Sequence, residues 1–183
     1  MFNHKGIRMS VEHMRNILFD HGRTARIGMP EAVFCQGKSR DALYTLLSEY
    51  GRDKSRPILF TRLEPEVFGS MPEDIRSAYD YHELSRTAFT SRMPDKTHGS
   101  VAVVSAGTAD GRTSWEVART LEYLGISVTV YEDNGVAGLW RLTENIEKLA
   151  AADVILVVAG LDPALAAVMG RLTGKPPFAA PTC

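Results

Sequence analysis

The feature that most restricts this chain is a rhythm in its second half. Apolar, β-branched runs alternate there with amphipathic stretches. VAVVSAG (101–107), ISVTVY (126–131) and DVILVVAG (153–160) read as strands, and PFAAPT (177–182) opens a fourth. Between them, Val117, Leu121 and Leu124 share one helical face, and Leu139, Leu142, Ile146 and Leu149 another. Leu165, Val168, Met169 and Leu172 recur at i, i+3, i+4, i+7. Thr113 to Glu116 fits a capping box, Asp162 and Pro163 an N-cap and N1 pair. Gly125 and Gly174 are helix stops. A β-α-β-α-β-α-β order with continuous apolar strands requires a parallel sheet covered on both faces. Right-handed crossovers make it α/β, an open doubly wound parallel sheet, for which a flavodoxin-like strand order is the expectation. Ligands of such sheets bind beyond the carboxyl ends of the strands. Those ends are the loops 105–110, 132–138, 160–162 and 181–183, all small and polar.

The first half is built differently. Ser10 caps a predicted helix carrying Val11, Met14, Ile17 and Leu18, which Gly22 would end. A short strand at 32–35 precedes a helix capped by Ser39, with Leu43, Leu46, Leu47 and Tyr50 on one face and Gly51 as its C′ residue. Residues 58–61 form a second strand, Pro65 and Pro72 interrupt 64–76, and 77–83 and 86–90 are extended. The sum is a small α+β domain over 1–91, a charged linker at 92–99 (RMPDKTHG), and the doubly wound domain over 100–183. The chain ends within or just past its fourth parallel strand with no helix after it. The second domain is therefore expected to be C-terminally incomplete, or completed by another chain.

Charge decides the broad class of partner. Twenty-one Lys and Arg against 22 Asp and Glu leave a net charge of -1, which argues against a nucleic-acid or membrane partner. The start lacks the apolar core of a signal peptide, and the apolar run 154–161 is too short to span a bilayer. Two cysteines form no disulfide framework, so a cytoplasmic protein is expected. Three familiar motifs fail. Gly37-Lys38-Ser39 lacks the P-loop glycine, since position 32 is Ala32. His82-Glu83 lacks the second zincin histidine, since position 86 is Arg86. No Cys/His spacing suggests zinc, and no metal ligands are predicted.

SAGTADG (105–111) is the strongest local signal. Ser105, Gly107 and Thr108 offer hydroxyls and close backbone approach at a helix N-terminus, a site for a phosphate or carboxylate. Asp110 in that loop can bind ribose hydroxyls or move a proton. In DNGVAGLWR (133–141), Gly135 and Gly138 permit close ligand contact or tight turning, and Trp140 packs or stacks. Gly160 and Asp162 belong to the third loop, Asp162 being either an N-cap or a carboxylate of the site. Arg23 and Arg26 in HGRTARIG (21–28) are an anion clamp or an exposed basic loop. Cys35 on an apolar strand reads as a structural thiol.

FDHGRTARIGMPEAVFCQGKS, RTAFT, VAVVSAGTADG, YEDNGVAGLWRL, VILVVAGLDPALAAVMG and KPPFAAPT occur here in the order found in the LarB family. The resemblance runs over nearly the whole chain. Its second part is similar to PurE, the aminoimidazole ribonucleotide carboxylase, and the N-terminal segment favours LarB. The resemblance implies a carboxylase/hydrolase of nickel-pincer nucleotide synthesis. Its small-molecule substrate would be nicotinic acid adenine dinucleotide, carboxylated at pyridinium C5 with CO2 or bicarbonate as co-substrate. The phosphoanhydride would be hydrolysed to release AMP, leaving pyridinium-3,5-biscarboxylic acid mononucleotide. No tightly bound cofactor is expected. A homo-oligomer, an octamer by analogy with PurE, is implied. The alternatives are a PurE-type purine carboxylase and an inactive nucleotide-binding fragment or assembly module.

Such chemistry needs a cysteine thiolate to add to the electron-poor ring, giving a neutral enamine whose C5 attacks CO2. A base then removes the C5 proton and the thiolate leaves. The resemblance makes Asp110 and Asp162 the carboxylates for proton transfer. Ser105, Gly107, Thr108, Gly135, Gly138, Gly160, Arg23 and Arg26 are its substrate-binding candidates. Three departures stand out. The family's nucleophilic cysteine matches neither Cys35 nor Cys183. Trp140 stands where the family has His, and Asp162 where it has Glu. The chain by itself is therefore expected to be inactive.

Overall fold

The computed structural model describes residues 20, 22–53, 55–94, 99–160 and 164–182. They form two four-stranded sheets. The first unit contains α1 (Arg23–Ile27), β1 (Ala32–Phe34), α2 (Arg40–Arg52), β2 (Leu59–Thr61), α3 (Pro65–Gly69), α4 (Glu73–Arg76), β3 (Asp80–His82) and β4 (Thr87–Phe89). Its sheet runs β1-β2-β4-β3, with β1 and β2 parallel and the rest antiparallel. The predicted helix at Ser10 lies outside the described residues.

Ser39 caps α2, its Oγ accepting from the Ala42 N–H at 3.3 Å. The helix lays Leu43, Leu46, Leu47 and Tyr50 against Val33, Phe60 and Ala88 of the sheet. Gly51 is not the stop: α2 continues through Arg52. A Cβ on Gly51 would sit 3.2 Å from the Tyr79 ring, so the glycine leaves room for that tyrosine. Tyr79 then donates its hydroxyl to the Leu47 carbonyl at 2.7 Å. The two prolines do not leave an irregular stretch. Pro65 opens α3 from its first turn and Pro72 precedes α4, so each starts a short helix.

The second unit contains β5 (Ser100–Ser105), a 3-10 turn (Thr108–Asp110), α5 (Gly111–Tyr123), β6 (Ser127–Tyr131), a second 3-10 turn (Val136–Gly138), α6 (Leu139–Ala151), β7 (Val154–Ala159), α7 (Ala164–Thr173) and β8 (Pro177–Pro181). All strands are parallel, in the order β6-β5-β7-β8. This is the flavodoxin-like order, second-first-third-fourth. Leu142 and Leu149 of α6 and Leu165 and Met169 of α7 bury against Ala102, Val104, Ile155 and Val157. Each such side chain contributes about 1.5–3 kcal/mol of apolar burial.

The other side carries α5, which touches β5 and β6 of its own sheet and β2 and β4 of the first. Its Tyr123 is fully buried against Leu59 and Phe89 of the first unit. A helix clamped between two sheets needs two buried faces. Hence Ser114, Ala118, Arg119 and Tyr123 are buried, while Val117, Leu121 and Leu124 are only half-buried. The capping box at Thr113 is likewise not used as one. α5 starts earlier, at Gly111, because the 3-10 turn winds directly into it. On the outer elements Leu139, Leu172 and Phe178 remain exposed, the last by 62%.

Candidate functional site

The carboxyl edge of the parallel sheet gathers a polar floor. Ser105, the last residue of β5, is fully buried. Its carbonyl accepts from the Asn134 N–H at 2.8 Å, and its Oγ from the Asp133 N–H at 3.3 Å. Asn134 is itself buried, and its Nδ2 donates to the Glu132 carbonyl at 2.8 Å. These bonds tie the loop after β6 onto the loop after β5.

The two loops touch at a glycine. A Cβ on Gly135 would stand 2.6 Å from the Ala106 carbonyl oxygen, closer than any side chain can approach. At Gly138 the near atoms are those of the Arg141 guanidinium, 2.6 Å from the virtual Cβ, the far end of a flexible side chain. Gly135 thus serves closure of the protein on itself. Arg141 pairs with Asp133, a non-glycine residue held at φ 58. Left-handed backbone at such a residue is a local cost that surrounding contacts must hold in place.

Asp110 joins the loop after β5 to the one after β8. Its Oδ2 accepts from the Gly107 N–H at 3.0 Å and its Oδ1 from the Thr182 hydroxyl at 2.6 Å. With both oxygens engaged, the carboxylate organises the loop as well as charging it. Gly160 lies beside Thr182, with Oγ1 3.5 Å from its virtual Cβ.

Two 13-residue helices, α5 and α6, begin at this edge, and neither has a side-chain cap. The 3-10 turns ahead of them use the leading amides, the Gly111 N–H bonding the Thr108 carbonyl and the Gly138 N–H the Gly135 carbonyl, while the positive dipole ends face this edge. Each also carries an arginine in its first turn, Arg112 and Arg141, whose Nε is buried with no described acceptor. Sequence reasoning singled out neither. The available signal was their spacing, just inside the helices that follow the two loops.

At the rim, Glu132 accepts from Trp115 Nε1 at 3.2 Å. The Trp115 ring lies 5.1 Å from the imidazole of His82, a residue of the first unit. Burial, with the Arg119 charge adding to it, holds the His82 imidazolium below its usual pKa. Trp140 is 64% exposed, so it does not pack into the core.

The structure therefore brings together Ser105, Gly107, Thr108, Asp110, Gly135, Gly138 and Gly160. It does not bring Arg23 and Arg26 to them. Thr24, between them, lines a cavity of about 270 Å3 with Asp20, Glu31, Tyr50, Arg56 and Met93. The Met93 N–H bonds the Tyr123 carbonyl at the C-terminal end of α5, about 20 Å along that helix from the loop. Arg26 is paired there with Asp20. Asp162 and Cys183 lie outside the described residues. Cys35 belongs to the first unit's core, its thiol pushed up to about 12 by burial. Among the described residues no three His, Cys, Asp or Glu side chains are grouped to hold a metal ion. No described helix is long and apolar enough to cross a membrane.

Comparison with known proteins adds two findings. The chain is 29% identical over 174 residues to an uncharacterized protein of Methanocaldococcus jannaschii. That alignment covers 89% of this chain, which spans 66% of the relative's length. Residues 11–92 match the family described as the LarB/PurE-like N-terminal domain. The mixed α/β architecture agrees with that match.

Proposed function

We propose that this protein takes part in the LarB-type reaction: carboxylation of the pyridinium ring of nicotinic acid adenine dinucleotide and cleavage of its phosphoanhydride, with release of AMP. The observation that carries this reading is that two helices with an arginine in the first turn, Arg112 and Arg141, both begin at the carboxyl edge of one parallel sheet. Positive ends and guanidinium groups at one place suit a pyrophosphate, and they favour the charge that builds up as the anhydride is cleaved. Arg112 and Arg141 take the anion-holding role expected of Arg23 and Arg26, which lie at the other end of α5. Asp110 is the carboxylate assigned in this reading to hold substrate hydroxyls or to accept a proton from the ring.

The carbon–carbon bond requires a thiolate on the ring. Cys35 does not supply it, being buried and in the other unit's core. A homo-oligomer and a cytoplasmic location belong to the same proposal.

The test is incubation with labelled bicarbonate and nicotinic acid adenine dinucleotide. Label in a dicarboxylated mononucleotide, together with free AMP, supports the reading. Label transfer only with aminoimidazole ribonucleotide sinks it. Turnover by the 183-residue chain that disappears with Cys183→Ser would assign the thiol to that residue.

A further inference from the structure

We infer that Glu132 is the carboxylate that holds the ribose hydroxyls of a bound ribonucleotide. This rests on the nucleotide reading of the same edge and moves the hydroxyl-holding role from Asp110 to Glu132, leaving Asp110 the proton transfer. Glu132 directly follows β6, the strand that pairs in parallel with β5 after the α5 crossover. Its Oε1 lies 3.1 Å from the place a Cβ on Gly111 would take, so the carboxylate stands at the head of α5. In dinucleotide-binding βαβ units an acidic residue beyond the second strand accepts from ribose hydroxyls, while the phosphates sit at the start of the intervening helix. The likeness is one of placement, since the loop here, SAGTADG, is not the Gly-rich fingerprint of those units.

The other carboxylates described at this edge are committed. Asp110 is buried, with Oδ2 on the Gly107 N–H and Oδ1 on the Thr182 hydroxyl. Asp133 is ion-paired with Arg141. Glu132 is exposed, and among the described residues no cation is paired with it. Its side-chain partner is the Trp115 indole, whose Nε1 donates to Oε1 at 3.2 Å. Trp115 is backed in turn by the His82 ring, 5.1 Å away. That one neutral donor orients the carboxylate and leaves Oε2 to accept. An ionised carboxylate only accepts, so two adjacent hydroxyls suit it. Phosphate oxygens are repelled by it, which selects the sugar of a nucleotide for this position.

The experiment is calorimetric titration of the whole chain with AMP and with nicotinic acid mononucleotide, each against its 2′-deoxy analogue. The wild type should bind at least one ribonucleotide about tenfold or more tightly than its deoxy form, the worth of a hydrogen bond to a charged group. Glu132→Ala should abolish that preference. It should bind the deoxy form as tightly as the wild type or slightly more so, since a negative charge near the phosphate is lost. Glu132→Gln, similar in shape but uncharged, should keep only part of the preference. Thermal unfolding should be nearly unchanged, since an exposed side chain is replaced. Equal affinity for ribo and deoxy forms in the wild type overturns the inference, as does a preference that survives Glu132→Ala. A matching loss for both forms in Glu132→Ala would make Glu132 a support for the head of α5 and also overturn it. Failure of both ribonucleotides to bind the wild type at millimolar concentration overturns it too. If no label enters from bicarbonate yet the hydroxyl preference still depends on Glu132, the carboxylase reading fails and the ribose site stands.

Discussion

Asp110 and Thr182 are joined by a 2.6 Å hydrogen bond across 72 residues of chain. It connects the loop leaving the central strand β5 with the end of the edge strand β8. Because Asp110 is buried, Thr182→Val should leave one carboxylate oxygen without its donor. A loss of about 1.5–3 kcal/mol is expected, read as a lower urea midpoint with unchanged slope.

Gly135 gives a second, sharper test. Gly135→Ala would drive its methyl group into the Ala106 carbonyl and force the two loops apart. Destabilisation of about 2 kcal/mol or more is expected, with reduced nucleotide affinity. Gly69→Ala is the control. Nothing lies within 4 Å of its virtual Cβ, and it sits at the end of a helix, so thermal unfolding should be unchanged or slightly raised.

Arg119 holds the two units together. Its side chain is only 7% exposed and pairs with Asp80 at 2.8 Å and Glu122 at 3.0 Å. Its guanidinium also lies 4.2 Å from the Phe89 ring centroid. Arg119→Ala should cost about 2 kcal/mol, a figure reduced because Asp80 is half exposed to solvent. Differential scanning calorimetry should show one transition in the wild type and a broadened or split one in the variant.

His82 sets a pH dependence. Its folded pKa lies below the usual 6.5, so the unfolded chain binds the proton more tightly. Stability should therefore rise with pH between the folded pKa and about 6.5, and be lost as pH falls through that window. Unfolding midpoints at pH 7.5 and 5.5 should differ more for the wild type than for His82→Gln. An equal difference would show that the ring does not contribute.

Cys35 should be inert. A buried thiol raised to about 12 carries almost no thiolate at pH 7.5. In a Cys183→Ser background, a thiol reagent should label Cys35 only on unfolding in denaturant.

How far the site was legible depends on the range of the contacts involved. The alternation of apolar strands and amphipathic helices is local, with periods of 2 and 3.6, so the parallel sheet could be read directly, while its strand order came from the resemblance. The loop residues Ser105, Gly107, Asp110, Gly135, Gly138 and Gly160 followed from the same pattern, because every βα loop of such a sheet opens on one edge. The arginines could not be ranked that way. Arg23 and Arg26 stand in a basic segment, but α5 places them at its far end. The role proposed for Arg112 and Arg141 depends on helix starts that local patterns located poorly: α5 begins at Gly111 instead of near Thr113.

The amino-acid pattern alone settled that this chain forms a parallel doubly wound sheet with its polar loops on one edge, since backbone hydrogen bonding and apolar burial leave no other use for those runs. The fold decided what those loops close upon. Gly135 faces a carbonyl of its own chain, Arg119 is buried between two sheets, and Trp140 is left in water. Each of these follows from α5 and α6 packing against partners distant in sequence, where steric fit and desolvation act on atoms that no local periodicity brings together.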